Sequence, residues 1–103
     1  MTKMNDTQLT TNISTKVKTS TPRKWKVIFH NDNSTTMDFV MAVLVSIFRY
    51  DELSAYDKAI EIHENNLAVI GIYYYEIAEQ RSAETVVTAR TAGFPLKVEI
   101  EPE

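Results

Sequence analysis

From residue 25 onward, the pattern of apolar and polar positions alternates between segments typical of strands and segments with the spacing of helices. Residues 25–30 are β-branched and aromatic, which predicts a strand. The polar cluster at 31–34 predicts the end of that strand, because Asn, Asp and Ser side chains bond their own backbone. Thr35 or Thr36 is a candidate N-cap for the helix that follows. The apolar face of this helix recurs at helical spacing through Phe39, Val40, Val43, Leu44, Ile47 and Phe48.

Two further helices are predicted in the second half of the chain. One begins at Ser54, with Asp57 as the acidic member of a capping box. It ends at the Asn pair 65–66, since Asn tolerates the left-handed conformation that a helix C-terminus often needs. The other helix covers residues 76–90, and Gly93 closes it.

Two more strands complete the pattern. Residues 67–73 are nearly all apolar, as expected of a buried central strand. Leu96, Val98 and Ile100 alternate with charged residues, which predicts a strand with one buried face. The predicted order is therefore βααβαβ. The fold class is α/β (α+β-like), a small three-stranded sheet covered by three helices on one face.

Charge divides the chain into two parts near residue 26. The net charge of −3 combines six basic and one acidic side chain up to Lys26 with five basic and thirteen acidic ones from Val27 onward. The division predicts a disordered basic N-terminal tail at 1–23 and a folded acidic domain at 24–103. An acidic domain favours cationic partners and disfavours nucleic acid.

Composition removes several classes of function. The absence of cysteine removes disulfide scaffolds, thiolate zinc sites and thiol nucleophiles. No apolar run is long enough for a membrane span and no signal peptide is visible, so we expect a cytoplasmic protein without a membrane partner. His30, Asp32 and His63 match no spacing of metal ligands, and two glycines leave no phosphate-binding loop. The chain is therefore predicted to be no enzyme and to hold no cofactor or metal.

Two polar features stay open on residue chemistry alone. The run at 31–33 is typical of a turn, and His63 is typical of a structural residue near a helix C-terminus, where the helix dipole favours its charge. Sequence spacing does not show that these two places meet.

Several motifs in one register point to a known family. They are the run at 27–40, the triplet Ile62-His63-Glu64, and the segments 68–73, 76–79 and 93–96. Together they resemble the ClpS family, whose members are adaptors for a ring-shaped AAA+ unfoldase and its ClpP peptidase. The resemblance covers residues 25–101 with almost no gaps and leaves the tail outside.

The resemblance implies a function. The adaptor would bind the free α-amino group and the bulky apolar first residue (Leu, Phe, Tyr or Trp) of N-degron proteins, which are marked for degradation by that residue. It would deliver them, as a monomer, to a Clp unfoldase of the ClpA or ClpC type. The positions that match the α-amino site are Asn31, Asp32, Asn33 and His63. Those that match the hydrophobic pocket are Met37, Val40, Ala59, Ile62 and Leu96. Those that match the unfoldase contact are Glu76 and Arg81, and the tail would correspond to the family's extension.

Three positions depart from the family pattern. Asn33 stands where a second Asp is typical, Thr36 replaces a Pro, and Ala59 replaces a larger apolar residue such as Met. Asn33 accepts hydrogen bonds but carries no charge, so we expect weaker binding of the ammonium group or a relaxed preference. The small side chain of Ala59 is expected to deepen the pocket.

Other functions remain open on the sequence. The main alternative is a ClpS-like regulator that docks on the Clp unfoldase and redirects or inhibits its substrate choice without binding typical N-degrons. A ribosome-associated module is a second, by analogy of fold alone. Nucleic-acid binding through the basic tail is a third, and it would depend steeply on salt.

Overall fold

The computed structural model describes residues 22–103. The elements are β1 (Lys24–His30), α1 (Met37–Ser46), α2 (Glu52–Asn65), β2 (Leu67–Tyr74), α3 (Tyr75–Thr91) and β3 (Lys97–Pro102). The predicted order βααβαβ and the three-stranded sheet are confirmed. The tail predicted at 1–23 lies outside the described residues except for its last two positions.

β1 is the central strand of the sheet, whose strand order is β2-β1-β3. Both of its neighbours run antiparallel to it. The prediction that residues 67–73 form a central strand is wrong, because β2 lies at the edge. Leu67 and Ile72 on this strand are each 44% exposed. An apolar run shows that a strand is hydrophobic, whereas its place in the sheet depends on which strands pair with it.

β1 also supplies the centre of the hydrophobic core. Val27 and Phe29 have no exposed surface, and their side chains lie on one face of the strand. Every helix contributes to the same cluster, through Leu44 of α1, Ala59 of α2 and Ala89 of α3. The helices therefore cover the face of the sheet to which Val27 and Phe29 point.

The opposite face of the sheet carries cross-strand polar pairs. Lys26 Nζ lies 3.2 Å from Glu101 Oε2, and His30 Nε2 lies 2.7 Å from Glu99 Oε1. Ile28 lies between them and is shielded to 7% exposure. Charged groups on this face agree with the prediction that helices cover only one side.

α1 begins as predicted and ends in a sharp turn. Thr36 is its N-cap, and the Thr36 Oγ1 accepts a hydrogen bond from the Phe39 amide at 3.1 Å. After the helix, Arg49 adopts a left-handed backbone with φ 63°. The Tyr50 hydroxyl then donates to the Ile70 carbonyl of β2. Burial, together with Tyr73 and Glu61, raises the pKa of Tyr50 to about 12, so this hydroxyl remains a donor.

The N-cap of α2 lies three residues before the predicted cap, Ser54. This N-cap is Asp51, whose Oδ1 accepts from the Ser54 amide at 2.7 Å. The predicted capping box at Ser54 and Asp57 is therefore wrong, because Asp51 supplies a carboxylate one turn earlier and takes the N–H of Ser54. The predicted end is confirmed: Asn66 is the C-cap, with a left-handed φ of 71°.

α3 is the longest helix of the described range and ends where the sequence predicts. Gly93 follows it with φ 85°, a conformation that other residues rarely adopt. The Phe94 amide then donates back to the Ala89 carbonyl at 2.8 Å. Among residues 22–103, no helix is both long enough and apolar enough to span a membrane.

The start of α2 provides a test. Replacing Asp51 with Ala should lower the thermal unfolding midpoint by about 4–8 °C, since the first turn of α2 loses its N-cap. Hydrogen bonds from the Ser54 amide and hydroxyl lower the pKa of Asp51 below its ordinary value of 3.8. The stabilisation by the carboxylate is therefore present above that value and is lost as the pH falls through the lower folded pKa.

The matched control is Ser54→Ala, which leaves the Asp51 carboxylate and the Ser54 amide in place. Calorimetry at pH 7 and at pH 3 measures both variants. An equal or larger loss in Ser54→Ala would contradict the assignment of Asp51 as the N-cap.

Candidate functional site

The loop between β1 and α1 is organised around the carboxylate of Asp32. Asp32 Oδ1 accepts hydrogen bonds from the Ser34 amide at 2.8 Å and the Thr35 amide at 2.7 Å. Asp32 Oδ2 accepts from the Thr35 hydroxyl at 2.8 Å. The loop therefore holds its shape through one side chain, as short polar loops often do.

These bonds also keep Asp32 ionised. Burial raises the pKa of the Asp32 carboxyl, but the hydrogen bonds from Thr35 and Ser34 and the charge of Arg90 outweigh it, so the pKa is lowered. Asp32 thus places a negative charge in the loop. Both of its oxygens are already engaged by the loop, so it acts on a bound cation mainly through its charge.

A main-chain hydrogen bond brings this loop to the end of α2. The Asn31 amide donates to the Asn66 carbonyl at 2.7 Å. His63 lies in the last turn of α2, three residues before Asn66, and its side chain is exposed. Asn31 and Asn33 are exposed as well. The structure therefore brings the loop that carries Asn31, Asp32 and Asn33 to the end of α2 that carries His63, a proximity that the sequence spacing leaves open.

The five residues predicted for the hydrophobic pocket meet in one cluster. They are Met37 and Val40 of α1, Ala59 and Ile62 of α2, and Leu96, which directly precedes β3. The last four are between 1% and 6% exposed, and Met37 alone of the five is partly exposed. This cluster is the hydrophobic core of the whole domain, so the assignment of these five residues to a pocket stays a prediction. In this conformation they form part of the closed hydrophobic core.

Two open cavities of the described range are lined by none of these five residues. A groove of about 490 Å³ is lined by Asp38, Met41, Ala42, Val45 and Glu52. A second cavity, of about 500 Å³, is lined by Ser34, Arg90, Gly93, Phe94 and Pro95. The second adjoins the Asp32 loop through Ser34. A bulky side chain can enter the predicted pocket only if the side chains around it move apart.

The two residues predicted for the unfoldase contact lie on α3 but face different surroundings. Glu76 is in the first turn and lines a cavity with Arg23, Tyr74 and Tyr75, near the start of β1. The guanidinium of Arg81 lies 5.1 Å from the centroid of the Tyr73 ring. The two residues share a helix, but Glu76 is exposed and Arg81 is only partly exposed.

The described residues contain no group of three or more His, Cys, Asp or Glu side chains that would hold a metal ion. His30 instead pairs with Glu99 across the sheet. His63 lies in the last turn of α2 and is not one of the partners of this pair.

Sequence reasoning missed one residue near the site. Arg90 donates from Nη1 to the Phe94 and Leu96 carbonyls, at 2.9 and 3.0 Å. Its partners are main-chain atoms, so no pattern of side chains marks it. The only available signal is its position at the end of a predicted helix that is followed by Gly and Pro.

Comparison with protein families identifies the region that carries this site. The model of the family described as the ATP-dependent Clp protease adaptor protein ClpS matches residues 20–99. The match includes the Asp32 loop, the apolar cluster and α3.

Curated relatives agree with that match. An ATP-dependent Clp protease adapter protein ClpS from Oleidesulfovibrio alaskensis is 42% identical over 80 residues, which are 78% of this chain and 77% of the relative. The ClpS of Myxococcus xanthus is 37% identical over 95% of this chain and 92% of its own length. A ClpS of Campylobacter jejuni is 41% identical over 84% of this chain and 90% of its own.

A solved structure has the same fold. Agrobacterium tumefaciens ClpS2 bound to L-phenylalaninamide is similar with a TM-score of 0.78 and 34% identity, over 81% of this chain and all of the other. Because the family model and relatives of comparable length both cover most of the chain, the protein belongs to the ClpS family of Clp protease adaptors.

Proposed function

We propose that this chain binds the free α-amino group and the bulky apolar first residue of N-degron proteins and delivers them to a Clp AAA+ unfoldase and its peptidase. Membership of the ClpS family establishes the coarser role, that of a Clp protease adaptor, which is not an enzyme. The observation that carries the finer proposal is the meeting of the Asp32 loop with the His63 end of α2, beside one apolar cluster.

The chemistry of a known ligand supports this proposal. L-phenylalaninamide, bound by the structurally similar ClpS2, carries a free α-amino group and a benzyl side chain. A protonated α-amino group offers three donors, and the amide oxygens of Asn31 and Asn33 and a neutral imidazole nitrogen of His63 are acceptors. On this proposal the benzyl group would leave water by entering the apolar cluster.

Order-of-magnitude energetics fit a carrier. An aromatic side chain buries about 150–250 Å², which at about 25 cal/mol/Å² is worth roughly 4–6 kcal/mol. A hydrogen bond to the charged amino group adds about 1.5–3 kcal/mol. Association costs several kcal/mol in return, so we expect a Kd near the micromolar range. Such an affinity allows the cargo to be released to the unfoldase.

Two substitutions shape the binding site. Asn33 brings an oxygen without a charge, so the Asp32 carboxylate is the acid of the loop that attracts an ammonium group. Ala59 is 2% exposed within the cluster, and its side chain is shorter than that of Met. We infer weaker attraction of the amino group together with room for a large first side chain.

Delivery requires a second surface. We propose that Glu76 and Arg81 on α3 contact the unfoldase, of the ClpA or ClpC type, and that the basic segment before residue 24 extends toward it. Neither residue is among the five predicted pocket residues, so on this proposal the substrate and the unfoldase bind different residues of the adaptor. The adaptor would act in the cytoplasm as a monomer.

One observation favours the second candidate function, a regulator that docks on the unfoldase without binding typical N-degrons. The pocket residues Val40, Ile62 and Leu96 are at most 6% exposed, so the pocket is closed in this conformation. In this alternative the α3 surface binds the unfoldase, and the pocket does not open to bind a peptide.

Peptide binding separates the two candidates. A fluorescent peptide that begins with Phe should bind with a Kd near the micromolar range, and N-acetylation should weaken binding at least about tenfold, because the charged donor is lost. His63→Ala should weaken binding of the free peptide by about 5–20-fold. Fluorescence anisotropy measures each Kd.

The control variant is Glu76→Ala with Arg81→Ala, which should leave peptide binding intact and weaken capture by the unfoldase's N-terminal domain. Equal binding of the free and acetylated peptides, with capture by the unfoldase preserved, would contradict the N-degron proposal and support the regulator.

The absence of a charge at Asn33 gives an independent prediction. Asn33→Asp should strengthen binding of the free Phe peptide by about 3–10-fold, since a second carboxylate attracts the ammonium group. The gain should shrink as salt rises and be absent for the acetylated peptide. Gln80→Glu adds the same charge on α3 and serves as the control; an equal gain there would mean that only net charge matters.

A further inference from the structure

Arg90, in the last turn of α3, joins that helix to the segment that follows it. The single nitrogen Nη1 donates to the Phe94 carbonyl at 2.9 Å and to the Leu96 carbonyl at 3.0 Å. These two carbonyls lie on either side of Pro95. One side chain therefore fixes a three-residue segment at both of its ends.

Main-chain bonds tie this segment to the helix only as far as Phe94. The Gly93 amide donates to the Arg90 carbonyl at 3.1 Å, and the Phe94 amide donates to the Ala89 carbonyl at 2.8 Å. Pro95 has no N–H to continue the series. The attachment past the proline thus depends on the Arg90 guanidinium.

The same segment carries one wall of the proposed pocket. Leu96 is 1% exposed and belongs to the apolar cluster. The Phe94 ring packs on the Phe39 ring of α1, with 4.9 Å between the centroids, and Phe39 precedes the pocket residue Val40. A shift of the segment would therefore displace the pocket from two sides.

Arg90 also acts on the polar side of the site. Burial raises the pKa of Asp32, hydrogen bonds from Thr35 and Ser34 lower it by more, and the charge of Arg90 adds to the lowering. Ser34 and Arg90 line the same open cavity of about 500 Å³. The guanidinium thus lies where the Asp32 loop faces the turn after α3.

We propose that Arg90 is a positioning residue of the peptide-binding pocket: it holds segment 94–96 against the end of α3 and so sets the spacing between the Leu96 wall and the Asp32 loop. It contacts main-chain atoms and not the ligand. The inference rests on the proposed function, because it concerns how the N-degron pocket is kept in shape.

Three variants of the full chain test this inference. Arg90→Met removes both hydrogen bonds and the charge while keeping much of the side-chain volume. Arg90→Lys keeps the charge and one donor group. Arg49→Met, at an exposed arginine outside the site, is the matched control. A Phe-initial peptide is titrated by anisotropy at 25 °C, and the unfolding midpoint of each variant is measured alongside.

Arg90→Met should weaken peptide binding by about 5–20-fold, Arg90→Lys should restore part of the loss, and Arg49→Met should stay within about twofold of the parent chain. The carboxyl ¹³C signal of Asp32, followed through a pH titration, should move to a higher midpoint in Arg90→Met and return toward the parent value in Arg90→Lys.

If Arg90 had only a structural role, Arg90→Met would lower the unfolding midpoint but leave the Kd at 25 °C unchanged. An unchanged Kd in a folded Arg90→Met protein would therefore overturn the inference. Should Arg90→Met fail to fold, Arg90→Gln, which removes the charge and the guanidinium, takes its place, and an unchanged Kd with an unchanged Asp32 midpoint in that variant would overturn the inference. Failure of the parent chain to distinguish free from acetylated peptide would refute the proposed function, and the Asp32 titration would still report on Arg90.

Discussion

The arrangement of this protein depends on the double pairing of β1. This strand bonds to β2 on one side and to β3 on the other, and its residues Val27 and Phe29 are fully buried under the helices. Burial of two such side chains is worth about 1.5–3 kcal/mol each, and both edges of the strand are satisfied by backbone hydrogen bonds. The sheet, the helices and the loop after β1 all take their positions from it.

The candidate site combines residues that are close in the sequence with residues that are far apart in it. The loop part of the proposed rim is local, because it follows directly from the end of β1 and is held by hydrogen bonds to the Asp32 side chain, whereas His63 comes from α2. The proposed apolar pocket is not local. Its residues come from α1, from α2 and from the segment directly before β3, and they are also part of the hydrophobic core. A change of pocket residue is therefore at once a change of specificity and of stability.

Much of the fold could be predicted from the sequence, because the periodicity of apolar residues is a local property. The N-cap at Thr36 and the C-cap at Asn66 are of this kind, since a few neighbouring residues determine them. The start of α2 was predicted wrongly because Asp51 and Ser54 are both good caps, and the choice depends on where the turn at Arg49 delivers the chain. Strand order was missed for a related reason, since hydrophobicity does not show which strands pair.

In the candidate site too, some features could be predicted from the sequence and others depend on contacts between distant residues. The resemblance to the family predicts the rim and pocket positions. The hydrogen bond from the Asn31 amide to the Asn66 carbonyl brings the loop after β1 to the end of α2 that carries His63. Arg90 could not be predicted, because a side chain that bonds only to carbonyl oxygens has partners that any residue type provides. Interactions with the main chain leave no trace in the pattern of side chains.

The edge position of β2 has a consequence for how the protein behaves in concentrated solution. The strand offers eight residues without a single charge, LAVIGIYY, whereas β3 at the other edge carries Lys97, Glu99 and Glu101 and ends at Pro102. Charges and proline discourage a foreign strand from pairing, and β2 has neither. In concentrated solution we therefore expect intermolecular strand pairing to begin at β2. A lysine introduced on the exposed face of β2 would discourage this pairing.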